Sequence, residues 1–254
     1  MAKKSRSTDR EVELRRSASD FRHFCRYLKI VDKQTQLVPL KLNKAQDVLI
    51  SAIEKNPWVF DLKARQMGGT TGIAAYAFWH AYFQPNFRVG VMAQSRESAE
   101  QIFEIYRRFY DHPPKWMQFP TEKSNVREML FFHGGMIRVF TANTQSARGT
   151  TYNFLHCSEF AFYSDVEQTV RAVFQTATPD AVVVMETTAN GLNHAHKLWA
   201  DENGYEKVFL PWTLSDEYSL DRKPHGFRGA GPKWTEYYKE HKITLKQLWW
   251  AYDT

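Results

Sequence analysis

The chain has 254 residues, with 34 Lys and Arg against 28 Asp and Glu, a formal net charge of +6 and 43% hydrophobic residues. These fractions are ordinary for a globular protein and exclude wholesale disorder. No stretch is apolar and uncharged over the roughly 18 residues that a membrane-spanning helix needs. The two cysteines exclude a disulfide scaffold. The mild positive charge fits either a solvated basic surface or contact with nucleic-acid phosphates.

The N-terminal part of the chain is polar and charge-dense, and we expect residues 1–10 to be a flexible tail. Apolar residues from position 12 to position 28 then indicate an amphipathic helix with gaps. Asn43 is expected to cap a further helix that runs to Glu54, because apolar residues recur on one face after it.

Predicted strands and helices alternate through the middle of the chain. The strands are expected at residues 58–62, 87–93, 154–157 and 181–186, and the helices at 70–83, 95–110 and 165–175. A glycine turn predicts a hairpin over residues 129–140. Near-continuous apolar strands that alternate with helices predict an α/β fold with a mainly parallel sheet covered on both faces.

The composition shifts at Pro211. Residues 211–254 are rich in aromatic side chains and contain a Gly/Pro-rich run between positions 223 and 232. This part of the chain is predicted to be an appendage on the core, ending in a helix from about Thr235.

The segment from Lys63 to Thr71 reads Lys-Ala-Arg-Gln-Met-Gly-Gly-Thr-Thr, and it follows a predicted strand and opens a predicted helix. Backbone N–H groups at a helix start can cradle phosphates, and a threonine hydroxyl in the first turn can bind Mg²⁺. The segment departs from the pattern GxxxxGK[ST], since the lysine position holds Gly69 and the first glycine position holds Lys63. Either Lys63 or Arg65 could supply the cation, and a simple glycine turn is the alternative.

A second motif, Phe154-Leu155-His156-Cys157-Ser158-Glu159, is a buried strand that ends in an acidic residue. Such a strand brings a carboxylate to the edge of the sheet where α/β folds bind ligands. In nucleotide hydrolases it supplies an Asp for Mg²⁺ and often a Glu that polarises the attacking water. Here Ser158 occupies the Asp position. The alternative is that Glu159 only caps the next segment.

The third motif, Glu186-Thr187-Thr188-Ala189-Asn190-Gly191, follows another apolar strand. Small hydroxyl and amide side chains at a strand end can sense a γ-phosphate through hydrogen bonds. An ordinary turn, which Asn-Gly favours, is the alternative.

Together and in this order, the three motifs resemble those of the large terminase subunit of tailed bacteriophages, the DNA-packaging motor. That family often has a degenerate Walker A motif, K-[AS]-R-Q-x-G-x-[ST], and a Walker B strand ending in Ser-Glu is a known variant. Thr-Thr-Ala-Asn-Gly looks like its coupling motif. The resemblance covers roughly residues 40–215, and the Walker A pattern is matched by Lys63, Arg65, Gln66, Gly68 and Thr70.

The resemblance implies a P-loop NTPase of the RecA/ASCE-like type, with a mainly parallel sheet flanked by helices. Residues 1–210 would form the ATPase domain, and residues 211–254 a linker subdomain leading to a nuclease domain that this chain lacks. The implied cofactors are ATP and Mg²⁺. The implied partners are double-stranded DNA, the portal protein, the small terminase subunit and further copies in a pentameric ring, in the host cytoplasm and transiently on the procapsid.

The resemblance also implies roles for individual residues. Gln46 would read adenine, although an ordinary surface glutamine is the alternative. Glu159 would orient the attacking water, and Thr70 and Ser158 would lie at the metal. The residues expected to contact ATP are Gln46, Lys63, Arg65, Gln66, Gly68, Gly69, Thr70 and Thr71.

Two arginines are candidates for stabilising the transferred phosphoryl group. Arg65 would act within its own subunit, and Arg148 would act on a neighbouring subunit, unless Arg148 is an ordinary loop arginine. Thr187, Thr188 and Asn190 would couple hydrolysis to motion.

Two other functions are compatible with these residues. A superfamily 2 helicase-like ATPase shares the glutamine motif and the Walker geometry, but it needs a second RecA-like domain for which residues 211–254 leave no room. A non-catalytic DNA-binding module with a decayed nucleotide site would explain the two departures from the motifs, at Gly69 and Ser158.

Overall fold

The computed structural model describes the backbone of residues 2–142, 149–229 and 231–253, and their side chains apart from residues 2–8, 173 and 232–234. Within this part of the chain, no helix combines the length and apolar character needed to cross a membrane.

The described residues form helices and strands along the whole chain. The helices are α1 (Ala2–Ser19), α2 (Phe21–Phe24), α3 (Lys44–Ile53), α4 (Gly69–Phe83), α5 (Arg96–Asp111), α6 (Val166–Thr176), α7 (His194–Ala200), α8 (Pro232–His241) and α9 (Leu245–Asp253). The strands are β1 (Lys29–Val31), β2 (Leu37–Pro39), β3 (Trp58–Lys63), β4 (Arg88–Ala93), β5 (Thr121–Ser124), β6 (Glu128–Phe131), β7 (Met136–Thr141), β8 (Tyr152–Ser158), β9 (Ala177–Thr187) and β10 (Glu206–Leu210).

A central sheet of eight described strands runs in the order β10-β3-β9-β8-β4-β7-β6-β5. The pairs from β10 to β7 are parallel, and the pairs β7–β6 and β6–β5 are antiparallel. Strands that are buried on both faces are expected to be apolar, and β3, β4, β8 and the second half of β9 are largely buried. The prediction of an α/β fold with a mainly parallel sheet is confirmed.

The helix caps explain several element starts. The Asn43 side chain accepts a hydrogen bond from the Gln46 backbone N–H at the start of α3, and the Gln46 side chain accepts one from the Asn43 N–H, which completes a capping box. The Ser95 side chain caps α5 in a similar way, by accepting from the N–H of Ser98. The predicted starts of both helices are therefore confirmed.

The N-terminal segment differs from its prediction, since the structure has helical backbone from Ala2 to Ser19 where residues 1–10 are predicted to be a flexible tail. Neither Gly nor Pro occurs in this stretch to stop a helix. Arg15 and Glu11, one turn apart, form an ion pair of 2.7 Å. The helix ends at Asp20, whose side chain caps α2 by accepting from the N–H of His23.

The C-terminal segment contains two helices, α8 and α9, where the sequence predicts a single helix from about Thr235. Lys242 adopts a left-handed conformation (φ 50°) and ends α8. Thr244 and Gln247 then exchange hydrogen bonds between backbone and side chain, which starts α9. Three buried side chains of this segment form a small hydrophobic cluster of their own: Phe227, Ile243 and Leu248.

The start of α4 carries the loop that is predicted to bind phosphate, so the packing of α4 sets the position of this loop. Ten residues of α4 are buried. Phe24 of α2 is fully buried and stacks against Phe78 and Tyr82 of α4, with ring centroids 6.3 and 5.7 Å away. The N-terminal helices therefore brace α4 on the sheet.

We expect Phe24→Ala to destabilise the protein by about 3–5 kcal/mol, because it leaves a cavity in this aromatic cluster. The matched control is Phe132→Ala, at a side chain that is 63% exposed, which we expect to change stability by about 0.5 kcal/mol or less. Urea unfolding of both variants measures the difference. Equal losses for the two would show that α2 does not brace α4.

Candidate functional site

The loop between β3 and α4 depends on two glycines. Gly68 has a left-handed backbone (φ 74°), and a Cβ atom there would lie 2.8 Å from Nε2 of Gln46. A Cβ atom on Gly69 would lie 3.0 Å from both Oε2 of Glu186 and Cδ of Lys63. Any larger residue at either position would therefore disturb the loop. The free N–H groups of a helix start, such as that of α4, favour an anion.

Helix α3 supports this loop from its other side. The amide of Gln46 accepts from the Asn43 N–H at 2.9 Å and donates to the Gly68 carbonyl at 2.8 Å. Asn43 donates to the Met67 carbonyl at 3.1 Å. Gln46 is only 5% exposed, so the alternative of a surface glutamine is wrong.

The pairing of three parallel strands brings the motifs together. β9 lies between β3 and β8, and Glu186 of β9 is in register with Asp61 of β3 and with Ser158 of β8. The side chains of residues in register point to the same face of a parallel sheet. Lys63, two positions after Asp61, shares that face. The loop and the ends of β8 and β9 therefore meet at one edge of the sheet.

Glu186 is the centre of this arrangement, with no exposed surface. Its Oε1 accepts hydrogen bonds from the hydroxyls of Thr70 (2.6 Å) and Ser158 (2.9 Å), and Nε2 of His156 lies 3.1 Å away. The ammonium of Lys63 lies 3.7 Å from Oε2. We call Glu186 and these four residues the Glu186 cluster.

Glu186, His156 and Asp61 have no role predicted from the sequence. Each of them lies within or at the end of an apolar strand, and such a position for a charged side chain is the signal that could have found them. Their partners depend on strand pairing, which the sequence pattern does not contain.

Lys63 also connects the cluster to Glu159. Its ammonium donates to Oε1 of Glu159 at 2.9 Å, while Oε2 of Glu159 accepts from the backbone N–H of Thr188 at 3.2 Å and its hydroxyl at 3.4 Å. Glu159 has a left-handed backbone (φ 53°), which is uncommon for a residue other than glycine and turns the chain sharply after β8. The predicted phosphate lysine and the predicted catalytic glutamate are thus ion-paired here.

The rest of the third motif contacts the segment that directly follows Glu159. The Thr187 hydroxyl accepts from the Ala161 N–H at 3.3 Å, and the Asn190 amide donates to the Ala161 carbonyl at 2.9 Å. The end of β9 and the turn after β8 are therefore connected through both side chains.

The charges in this site shift one another's pKa values. Burial raises the pKa of Asp61 well above its usual range, and the nearby carboxylate of Glu186 raises it further. Burial also acts to raise the pKa of Glu186, but the charge of Lys63 and the hydrogen bond from His156 outweigh it, and the pKa falls to about 2. Burial opposes the charge on Lys63, yet Glu186 and Glu159 raise its pKa overall.

The remaining predicted residues lie at the margin. Arg65 and Gln66 are exposed, and the Arg65 guanidinium has no hydrogen-bond or ion-pair partner among the described residues. The Arg65 carbonyl accepts from the Tyr218 hydroxyl, which ties the C-terminal segment to the loop. Thr71 is half-buried in the first turn of α4. Arg148 lies outside the described residues.

Comparison with known proteins identifies the family. Residues 62–244, more than half of the chain, match the family model described as terminase large subunit, T4likevirus-type, N-terminal. The chain belongs to this family. The resemblance predicted from the three motifs is therefore confirmed.

Solved structures of phage large terminases share the fold. The HK97 bacteriophage large terminase matches 91% of this chain with 54% of its own, at 17% identity and a TM-score of 0.61. The large terminase of a thermophilic bacteriophage, in complex with ADP, matches 78% of this chain with 50% of its own, at 13% identity and a TM-score of 0.55. The large terminase ATPase domain of a Thermus phage matches 83% with 91% of its own, at 15% identity and a TM-score of 0.50. The chain thus spans about half the length of the first two proteins.

We expect Lys63→Met to destabilise the protein by about 3 kcal/mol or more, because it leaves the Glu186 carboxylate buried without its cation. The matched control is Lys33→Met, which breaks an exposed ion pair with Glu217 and should cost about 1 kcal/mol or less. Urea unfolding at neutral pH measures both. Equal effects would contradict the assignment of Lys63 as the cation of a buried cluster.

Proposed function

We propose that this chain is the ATP-hydrolysing motor domain of a phage large terminase, which uses Mg-ATP to drive double-stranded DNA into a procapsid. The observation that supports this most strongly is the meeting of a glycine loop, Lys63 and Glu159 at one sheet edge, in a chain of the terminase family. Open α/β sheets bind their ligands at this edge.

Lys63 and Glu159 would exchange partners when nucleotide binds. A phosphate carries more charge than one carboxylate and competes for the Lys63 ammonium, which in this structure bonds Glu159. Glu159 would then be free to accept a proton from, and orient, the attacking water. Thr188, which donates to Glu159, would sense this release and pass it to the end of β9.

Several further residues have proposed roles at the nucleotide. Arg65, exposed beside the loop, is placed by the family pattern to stabilise charge on the transferred phosphoryl group, with Arg148 as the intersubunit candidate. A side-chain amide has two donor hydrogens and two acceptor lone pairs. Gln46 uses one of each on Asn43 and Gly68, so one of each is left to read adenine. The residues that would complete the phosphate loop are Gln66, Gly69 and Thr71.

The residues at the loop fit a magnesium ion. Mg²⁺ prefers oxygen ligands and is commonly bound through few protein groups together with nucleotide phosphates. Thr70 and Ser158 provide hydroxyl oxygens around Glu186. Among the described residues, Oε2 of Glu186 and both carboxyl oxygens of the buried Asp61 have no hydrogen-bond partner. In the described part of the chain, no three His, Cys, Asp or Glu side chains form a metal site by themselves. Bound Mg²⁺ would neutralise the charge that develops on the phosphates.

The partners follow from this proposed motor function. Thr187, Thr188 and Asn190 would couple hydrolysis to movement of DNA, and residues 211–254 would be the linker towards a nuclease domain. The motor would work in the host cytoplasm as a homo-oligomeric ring, with the portal protein and the small terminase subunit.

We expect Glu159→Gln to lower ATP turnover by about 100-fold or more, the usual contribution of a general base, while ATP binding persists. Phosphate release and the binding of a fluorescent ATP analogue measure the two effects. The matched control is Glu167→Gln on α6, an exposed glutamate paired with Arg171, which should leave both unchanged.

Full turnover by the Glu159 variant would contradict the role of this residue. Absence of ATP binding by the unaltered protein at millimolar Mg²⁺ would instead favour a module with a decayed nucleotide site.

A further inference from the structure

We propose that Glu186, on β9, replaces the carboxylate that β8 lacks at Ser158 and positions Thr70 for the magnesium ion of bound nucleotide. The inference rests on the proposed ATP-binding function and names a residue to which neither the family pattern nor the sequence motifs give this role.

The end of β8 lacks a charge. Ser158 stands where nucleotide hydrolases have a metal-organising Asp. Its hydroxyl donates to Glu186 at 2.9 Å. Because the two residues are in register on adjacent parallel strands, the carboxylate is displaced sideways by one strand, roughly 4.8 Å, and still reaches the same edge.

The link to the metal position is Thr70. Its hydroxyl donates its only hydrogen to Glu186, at 2.6 Å. A hydroxyl group has one donor hydrogen and two acceptor lone pairs, so this bond leaves the oxygen lone pairs of Thr70 for a cation. Glu186 therefore does to Thr70 what an acidic residue at the end of β8 would do.

Unpartnered oxygens at the same place point to a ligand. Within the described part of the chain, Oε2 of Glu186 and both carboxyl oxygens of Asp61 make no hydrogen bond, although neither side chain has exposed surface. Leaving buried polar atoms unsatisfied is costly, and such atoms in a folded protein need a reason. Both carboxyl groups face Gly69 at the start of α4, since a Cβ atom there would lie 3.0 Å from Glu186 and 3.2 Å from Asp61. They thus lie directly behind the phosphate loop.

A second interpretation is that Glu186 serves only as a counter-ion for Lys63. The two interpretations differ in magnesium dependence, because a counter-ion of Lys63 affects nucleotide binding equally with and without Mg²⁺. A residue that positions Thr70 affects only the gain in affinity that Mg²⁺ provides.

The test measures the affinity of a fluorescent ATP analogue with Mg²⁺ and with EDTA. We expect Glu186→Gln to reduce the magnesium-dependent gain about 10- to 100-fold, the usual effect of losing a group that orients a metal ligand, with the EDTA affinity unchanged. Adding Ser158→Asp to this variant returns a carboxylate to β8 and should restore most of the gain. The control, Glu167→Gln, should keep the full gain.

Thr70→Val provides an independent arm, because it removes one hydroxyl and leaves every carboxylate of the cluster in place. It should show the same loss as Glu186→Gln, and circular dichroism verifies that each variant is folded. A full magnesium-dependent gain in either variant would overturn the inference. Failure of the proposed function has a different signature, since the unaltered protein would then bind no nucleotide under either condition, and both proposals would fall.

Discussion

A carboxylate without exposed surface needs donors and a cation close by, since burying an uncompensated charge is prohibitively costly. Glu186 obtains them from three elements: a hydroxyl from α4, a hydroxyl and an imidazole from β8, and the ammonium of β3. These contacts can form only while β9 lies between β3 and β8 and α4 begins directly at the sheet edge. The requirement of one buried charge therefore fixes the phosphate loop, the end of β8 and the end of β9 relative to one another.

The same arrangement gives the site a way to respond to a ligand. Lys63 lies between Glu186, which is fully buried, and Glu159, whose side chain is about one-third exposed. A phosphate that attracts Lys63 weakens the exposed pair first, because the buried pair has no water to replace the lost partner. Glu159 then loses its cation but keeps its hydrogen bonds from Thr188. The left-handed turn at Glu159 and the contacts of Thr187 and Asn190 with Ala161 provide a short path from the nucleotide to the end of β9.

Local patterns were enough to predict the alternation of strands and helices, the Asn43 cap and the glycine loop, because caps, turns and amphipathic periods depend on neighbouring residues. The family was also predictable, since the three motifs lie on separate strand ends in a fixed order. The role of Glu186 was not, because it depends on which strand lies beside which. The sequence contains β9 after β8 but does not contain the insertion of β9 between β3 and β8. The division between α8 and α9 was missed because Lys242, a residue that rarely ends a helix in a left-handed conformation, does so here.

The proposed role of Glu186 depends most on where a metal ion lies relative to Thr70. A crystal structure with Mn²⁺ and a non-hydrolysable ATP analogue, with the metal located by its anomalous signal, measures this directly. We expect the metal beside the Thr70 hydroxyl, Glu186 still accepting from that hydroxyl, and Lys63 on a phosphate and separated from Glu159. A metal held elsewhere, with Thr70 turned away from Glu186, would contradict this role.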